Sequence, residues 1–379
     1  MIIKTLIISA NIGTLFEETH LISGWVEEVE KIFLQYDPNF IGISFQELGG
    51  KDSVHLHHVQ LFCDQLRSIF NKANAENSNT SNVFYSSGLI YDPDIKSPQF
   101  TAMGNLFLIH QELLQTNLVQ VWDRVDHMYK PIHCHNPDQL QTFNANECNF
   151  IFHQRFPNRK SRKGWIYSRW KFGNQEIDLM NVHLFHDDIN TLAIQEIPSV
   201  YARDRLDALQ LATSECGLSN DIPAILFGDF NVRLDKDFVE WLKNDFLREQ
   251  TNNNSDANLE EFLSIKDKSF SLKFCSQLVE TQTIQEIRKF DREISRFNET
   301  QKIQLHECPI TFGFTYCLEH NGADKPANFV KRIPAWCDRV LFTEPTKSLL
   351  NNECTYASIR GVKSTGDHTP VYLYFQFET

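Results

Sequence analysis

The stretch FGDFNVRLD, residues 227–235, completes an apolar run that begins IPAIL. Such a run predicts a buried strand, in which residues two apart point to the same face. Asp229 and Asn231 are therefore expected to project together from the end of the strand, while Phe230 points into the core. Two polar groups in this position indicate either a turn or a functional site.

Polar residues end apolar segments elsewhere in the chain. They are Asn11 after LIISA, Glu47 after IGISFQ, Asn181, His183, His186 and Asp187 in LMNVHLFHD, and Asp367 and His368 before the last strand. Each alone could be ordinary: GDHTP, for instance, could be a simple turn. Loops above a rigid scaffold are common places for sites, so the recurrence favours one site built from several strand ends.

The residue types at these strand ends favour a hard cation. Carboxylate and amide oxygens suit Mg²⁺, which takes only one or two carboxylates from the protein. The alternative zinc candidates are HCH at residues 133–135 and HLHH at residues 55–58. Their spacing does not match that of a structural zinc site, so Mg²⁺ is the expected cofactor.

Composition limits the partners and the compartment. The chain has 379 residues and a formal charge of −13, which disfavours binding to nucleic acid or to anionic lipid. Nine scattered cysteines without a CxxC pair indicate a reducing compartment, and we expect a cytoplasmic protein. No signal peptide or membrane-spanning stretch is evident.

The order of apolar and polar segments predicts a single α/β domain over residues 1–379, with two packed sheets and outer helices. A helix is expected after residue 20, with Trp25, Val29, Ile32 and Phe33 on its buried face. Further helices are expected over 195–216 and much of 235–300, and surface loops at 71–82 and 251–260. Strands are predicted at 1–11, 40–47, 103–110, 164–172, 176–185, 222–231, 338–343 and 368–377.

Three motifs occur in a familiar order: FGDFNVRLD, PAWCDRV (residues 334–340) and GDHTPVYL (residues 366–373). Together with NVHLFHD, they resemble the signature of the inositol polyphosphate 5-phosphatases, most closely the type I enzymes. The resemblance implies the DNase I-like endonuclease/exonuclease/phosphatase fold, a four-layered α/β sandwich. It also implies hydrolysis of the 5-phosphate of inositol 1,4,5-trisphosphate, and of the 1,3,4,5-tetrakisphosphate as a second substrate, which would end a calcium-mobilising signal.

The resemblance implies a role for each matching residue. Glu47 would be the main Mg²⁺ ligand, with Asn11 and Asp367 beside it. Asp229 would orient and deprotonate the attacking water.

The remaining catalytic residues would act on the phosphate itself. Asn231 and His183 would hold the scissile phosphate, and His368 would stabilise charge on its oxygens. Asp338 would orient His368 through a hydrogen bond.

Recognition of the other phosphates requires cations. The two basic stretches are NRKSRKGW (residues 158–165) and FVKRIPAW (residues 329–336), either of which could instead be a solvated loop. The residues expected to bind substrate are Lys163, Arg332, Tyr316 and Arg162.

The sequence departs from the wider family in three places. Lipid-acting members have a Tyr-Lys-Tyr string where this chain has Phe314, Thr315 and Tyr316, which weakens the expected reading of the 4-phosphate. Gly366 stands where most members have Ser. The chain ends YFQFET without a prenylation box, so the tether is absent or the natural chain is longer; peripheral membrane association stays open.

Other readings stay open as well. The same core residues serve DNase I-like or abasic-site endonucleases and sphingomyelinases. The chain could also act on phosphoinositide lipids, or bind inositol phosphates without turnover. We expect small-molecule inositol phosphates as partners, no nucleic acid, and a monomer.

Overall fold

Two mixed β-sheets lie face to face, and helices cover their outer faces. The computed structural model describes residues 1–77, 85–132, 139–157, 161–246, 263–266, 269–273, 281–316, 329–330, 332–350, 354–359 and 366–379. A third sheet of three short strands is also present.

The strands in chain order are β1 (Ile2–Asn11), β2 (Phe40–Gln46), β3 (Tyr85–Tyr91), β4 (Gly104–His110), β5 (Val119–Asp123), β6 (Met128–Pro131), β7 (Leu140–Asn144), β8 (Phe152–Arg155), β9 (Gly164–Phe172), β10 (Gln175–His183), β11 (Ala224–Asp229), β12 (Leu263–Lys266), β13 (Ser269–Lys273), β14 (Leu305–His306), β15 (Phe329–Val330), β16 (Asp338–Thr343), β17 (Thr355–Ser358) and β18 (Val371–Glu378). The first sheet has the order β17-β18-β1-β2-β4-β3-β7. The second has the order β14-β16-β11-β10-β9-β5-β6, with β8 paired to β9.

The α-helices are α1 (Gly13–Glu17), α2 (Ile22–Tyr36), α3 (Val59–Asn77), α4 (Gln111–Gln115), α5 (Asn190–Ala193), α6 (Val200–Glu215), α7 (Lys236–Trp241), α8 (Thr281–Ile287), α9 (Glu293–Thr300) and α10 (Lys347–Leu350). Single helical turns lie at Thr19–Leu21, Leu56–His58, Leu242–Phe246, Arg288–Phe290 and Glu344–Thr346. No helix of the described residues is long and apolar enough to cross a membrane.

Three apolar clusters account for the layering. One fills the space between the sheets and includes Trp170 and Phe227. A second joins the outer face of the first sheet to α2 and α3, and a third joins the outer face of the second sheet to α6 and α9. The order helix, sheet, sheet, helix confirms the predicted four-layered α/β sandwich.

Most of the predicted elements are confirmed. Helix α2 buries Trp25, Val29, Ile32 and Phe33, as its apolar spacing indicated. It ends where Asp37 adopts a left-handed conformation, with φ of 45°. Each of the eight predicted strands corresponds to an observed strand, within a few residues at the ends.

Two predictions were wrong in part. The Asn-rich run 71–82 is not a loop throughout, because α3 continues to Asn77; a helix already held by its packed residues, such as Phe62 and Phe70, extends easily through NKANAEN. Residues 235–300 are less helical than expected, since β12 and β13 lie among them. Residues 251–260 and 133–135 lie outside the described residues.

Gly228 leaves no room for a side chain in the second sheet. It lies opposite Val182, where β11 pairs with β10, and a Cβ at Gly228 would come 1.9 Å from the Val182 carbonyl oxygen. No side chain can be added there unless the two strands move apart.

We therefore expect Gly228→Ala to lower the free energy of unfolding by about 1–3 kcal/mol or more, as overpacking does. Urea denaturation would measure it. Gly88→Ala is the matched control, because a Cβ there meets only Phe143 Cε2 at 3.6 Å, an ordinary contact. Equal midpoints for Gly228→Ala and wild type would contradict the steric argument.

Candidate active site

The predicted site residues meet where the two sheets share one edge. In the second sheet, His183, Asp229 and Asp338 lie side by side in register at the ends of β10, β11 and β16. In the first sheet, Asn11 at the end of β1 pairs with Gln46, the residue before Glu47. Residues as far apart in the chain as Asn11 and Asp338 are thus brought to the same end of the two sheets.

Asn231 reaches the site by a turn and not by strand alternation. The strand ends at Asp229, and Asn231 adopts a left-handed conformation with φ of 51°. Its N–H donates to Asp229 Oδ1 at 2.9 Å, which closes a turn stabilised by the aspartate side chain. The prediction that Asp229 and Asn231 project from the same face of one strand was therefore wrong, because the strand ends at Asp229. Phe230 is fully buried, as predicted.

Two contacts at the site join the carboxylates of Asp229 and Asp338 in the second sheet to side chains of, or next to, the first. Asn11 Nδ2 donates to Asp229 Oδ2 at 3.1 Å. His368, which precedes β18, places Nδ1 2.8 Å from Asp338 Oδ2. The two carboxylates of the second sheet are therefore each held by a side chain from the first.

Asp229 is buried and charged. Burial opposes the charge, but His183, His368 and Lys163 outweigh it and hold the pKa of the Asp229 carboxyl well below its usual range. His183 Nε2 lies 3.3 Å from Asp229 Oδ2. A carboxylate with so low a pKa is a weak base, so it orients a water molecule better than it deprotonates one.

Asp338 and His368 form a buried pair with opposite tendencies. Burial raises the pKa of the Asp338 carboxyl to about 6, against the pull of His368. Burial would lower the pKa of His368, but Asp338, Asp229 and Asp367 raise it to about 9. His368 is consequently an imidazolium at neutral pH, suited to stabilising negative charge.

Lys163 lies inside the site, with only 7% of its surface exposed. Its Nζ is 3.7 Å from Glu47 Oε1 and also contacts His183 Nε2. His183 Nε2 also lies near Asp229 Oδ2. It can form a hydrogen bond with either Lys163 or Asp229, but not with both at once. Burial and Lys163 lower the pKa of His183 to about 4, so its ring is neutral.

Glu47 and Asn11 fit a divalent cation. Both offer oxygen, the donor that Mg²⁺ prefers, and Asn11 Oδ1 accepts one bond from Gly13 N at 3.2 Å, which leaves a second lone pair. The ammonium of Lys163 already lies beside Glu47, where positive charge is favoured. Burial opposes ionisation of Glu47, but Lys163 and the histidines lower its pKa nonetheless.

Within the described ranges, a second group has potential ligand atoms within 4.8 Å of one another: Asp229, Asp338 and His368. Here the histidine and Asp338 already bond each other, and a protonated imidazole cannot bind a metal. We therefore favour the Glu47 side of the site.

Asp367 lies next to His368 but has other partners. Thr14 Oγ1 donates to Asp367 Oδ1, and Lys51 Nζ is 3.0 Å from Oδ2. Gly366 before it has φ of 87°, and a Cβ there would lie 2.8 Å from Thr14 Cβ. Glycine in place of the family's serine therefore suits this backbone, and Asp367 would have to exchange a partner to bind a metal.

The expected phosphate-binding cations surround the site, and each is held in place. Arg332 donates from Nη1 to the Asp187 carbonyl oxygen at 2.8 Å. Arg162 donates to the Lys51 carbonyl oxygen and to Ser53 Oγ.

Tyr316 packs against His368. Its ring lies 4.5 Å from that of His368, centroid to centroid. This contact places Tyr316 beside His368, and its role in substrate binding stays a prediction.

Thr315 stands where lipid-acting members of the family have the lysine of Tyr-Lys-Tyr, and here it makes a structural contact. It is fully buried, and its Oγ1 accepts a hydrogen bond from Asp338 N at 3.0 Å. Phe314 beside it packs on Trp336, with ring centroids 4.7 Å apart. Both side chains are buried and engaged in contacts within the protein.

Sequence reasoning missed several supporting residues. Thr14, Lys51 and Arg233 each contact a predicted site residue. Lys51 follows the Gly49-Gly50 pair after Glu47, and Arg233 lies in the FGDFNVRLD stretch itself, so proximity in sequence was an available signal.

Comparison with known proteins identifies relatives over nearly the whole chain. Residues 132–374 match the Endonuclease/Exonuclease/phosphatase family 2. Inositol polyphosphate-5-phosphatase A of Rattus norvegicus is 30% identical over 98% of this chain and 92% of its own. The probable type I inositol 1,4,5-trisphosphate 5-phosphatase of Caenorhabditis elegans is 27% identical over 98% of this chain and 99% of its own.

A solved structure shares the fold. The inositol polyphosphate 5-phosphatase domain of SPsynaptojanin, in complex with inositol (1,4)-bisphosphate and calcium ion, aligns over 100% of this chain and 84% of its own with a TM-score of 0.54 and 14% identity. This likeness confirms the predicted DNase I-like fold.

Among the neighbours of His368, the Asp338 carboxylate does most to stabilise the positive charge of the imidazolium. We expect Asp338→Asn to lower the pKa of His368 from about 9 to below about 8, because burial then meets less opposition. Nuclear magnetic resonance of the imidazole in metal-free protein would follow it. Asp221→Asn is the control: it makes the same change of charge at an exposed position before the opposite end of β11. An unchanged titration in Asp338→Asn would refute the pairing.

Proposed function

This chain belongs to the inositol polyphosphate 5-phosphatases, and we propose that it hydrolyses the 5-phosphate of soluble inositol polyphosphates with the help of Mg²⁺. Inositol 1,4,5-trisphosphate is the proposed main substrate, and the 1,3,4,5-tetrakisphosphate a second. Hydrolysis would end a calcium-mobilising signal. The C. elegans relative, named for the trisphosphate, supports this choice over lipid substrates.

The observation that carries the proposal is the row of His183, Asp229 and Asp338, completed by His368 from the other sheet. Phosphoryl transfer needs little covalent help from a protein, because it depends on positioning and on stabilising charge at the phosphoryl oxygens. A buried carboxylate beside an imidazolium and an amide supplies both requirements.

The scissile phosphate would lie among four donors. Lys163 and His183 contact each other without substrate, and a phosphate oxygen between them would accept from both. Asn231 would donate from its amide. His368, cationic through Asp338, would meet the charge that builds on the phosphoryl oxygens.

Asp229 would act on the attacking water. Its Oδ2 accepts from Asn11 and lies near His183, so its orientation is fixed before substrate binds. As the new bond from water to phosphorus forms, the water becomes more acidic, and Asp229 takes its proton at that stage despite a low pKa. The bond from phosphorus to the 5-oxygen of the inositol breaks, the freed oxygen takes a proton from solvent to become a hydroxyl, and inorganic phosphate leaves.

Glu47 and Asn11 would hold the metal, with Asp367 beside them if it exchanges Thr14 or Lys51. A bound Mg²⁺ would supply Lewis acidity and orient the phosphate. Arg332, Arg162 and Tyr316 line the approach and are proposed to bind the remaining phosphates and the inositol ring.

Phosphate release from a panel of substrates tests the proposal. The panel contains both soluble inositol phosphates, the corresponding phosphoinositide lipids in vesicles, and DNA with an abasic site, each with Mg²⁺ and with chelator. We expect Mg²⁺-dependent release from the trisphosphate. Activity confined to lipid would contradict the proposed substrate, and trisphosphate binding in calorimetry without any turnover would identify a binding module.

Removal of the Asp229 carboxylate tests its role directly. Asp229→Ala is expected to lower kcat/KM for the trisphosphate about 10²–10⁴-fold, because water is then neither oriented nor deprotonated. Asp221→Ala, at an exposed position, should leave the rate unchanged. A loss of less than about tenfold in folded Asp229→Ala would exclude Asp229 from the reaction.

A further inference from the structure

Arg233 joins four segments that build the site. Its Nη2 donates to Asn231 Oδ1 at 2.9 Å, and its Nη1 contacts Cys337 Sγ. Its Nε lies 3.7 Å from Asp187 Oδ2, and its guanidinium lies 4.6 Å from the centre of the Tyr316 ring. Only 6% of its surface is exposed, so the side chain is held within the protein.

Arg233 determines which way the Asn231 amide points. Asn231 Nδ2 donates to the Leu184 carbonyl oxygen at 3.0 Å, while Oδ1 accepts from Arg233. A flipped amide would set oxygen against the Leu184 oxygen and N–H groups against the guanidinium, and both contacts would be unfavourable. The amide therefore keeps one N–H free, and a donor is what a phosphate oxygen requires.

The same guanidinium supports the catalytic histidine through a second contact. Tyr316 lies between Arg233 and His368, with distances of 4.6 Å to the guanidinium carbon and 4.5 Å between the ring centroids. A cation over one face of a tyrosine ring is attracted to it, and that attraction fixes the ring that His368 packs against.

Arg233 is itself anchored from behind. Its backbone N–H donates to Glu293 Oε1 at 3.1 Å. Arg205 bridges Glu293 and Asp187, with contacts of 2.6 Å to each. This buried network of two carboxylates and one further arginine keeps the guanidinium from moving toward the substrate.

We infer that Arg233 is a positioning residue of the reaction: its planar fork orients the Asn231 amide toward the scissile phosphate and supports Tyr316 against His368. The inference rests on the proposed function. Lysine has a single flexible ammonium and cannot make the same set of directed contacts, so it would replace arginine only in part.

Steady-state phosphate release from inositol 1,4,5-trisphosphate tests this, with wild type measured first. We expect Arg233→Met to lower kcat about 10–100-fold while KM changes less than about threefold, and Arg233→Lys to recover part of kcat. The control is Arg169→Met, which breaks a bidentate pair with Asp178 at 2.7 and 2.9 Å near the far end of β10. That variant should keep the wild-type kcat.

A double-mutant cycle separates positioning from mere stability. If Arg233 acts through Asn231, Arg233→Met should lower kcat less than about threefold in an Asn231→Ala background. An equal loss of kcat in both backgrounds would overturn the inference, as would unchanged kcat in the single variant. If Arg233→Met does not fold, the cycle with Arg233→Lys decides by the same criterion. Inactive wild type would instead refute the proposed function.

Discussion

The site depends on a fixed offset between the two sheets at one edge, and a buried amide provides it. Asn181 in the second sheet accepts from Gln46 Nε2 at 2.8 Å and donates to Asn105 Oδ1, also at 2.8 Å, both in the first sheet. Gln46 directly precedes Glu47, and Asn181 lies two residues before His183. Apolar packing between sheets has no direction, whereas these hydrogen bonds lose strength within a few tenths of an ångström. These hydrogen bonds therefore align the two halves of the site from positions one residue before Glu47 and two residues before His183.

Alignment brings carboxylates together, and their repulsion must be offset locally. Glu47, Asp229 and Asp338 are all partly or fully buried, which would favour their neutral forms. Lys163 and His368 supply the compensating charge, and Asp229 stays ionised as a result. Asp338 has the highest pKa of the three: burial raises it and His368 is the main cation that opposes this, whereas His183, His368 and Lys163 all act on the equally buried Asp229. Different neighbours thus give the same carboxyl group different pKa values at these three positions. The position at a strand end does not by itself determine the pKa.

Much of this arrangement could be predicted from the sequence because it repeats a simple pattern. Apolar strands ending in polar groups revealed Glu47, Asp229 and the other strand-end residues, and helical spacing revealed α2. The left-handed turn at Asn231 could not be predicted, because residue spacing does not report the conformation at a single φ. The contacts of Arg233 and Thr315 could not be predicted for a related reason. They join distant segments, and a local sequence pattern contains no information about which residues lie opposite each other in the fold.

The charge balance of the chain explains why such indirect support matters. A protein with a net charge of −13 repels a polyanionic substrate at long range, so binding must rely on cations within a few ångströms of each phosphate. Flexible cations would spend part of their time paired with the surrounding carboxylates. Arg332 and Arg162 are instead held by backbone carbonyl oxygens, which restrict the side chain without neutralising it. If these side chains bind phosphates as proposed, a substrate would have to match fixed positions of charge, and recognition would depend more on the spacing of its phosphates than on their number.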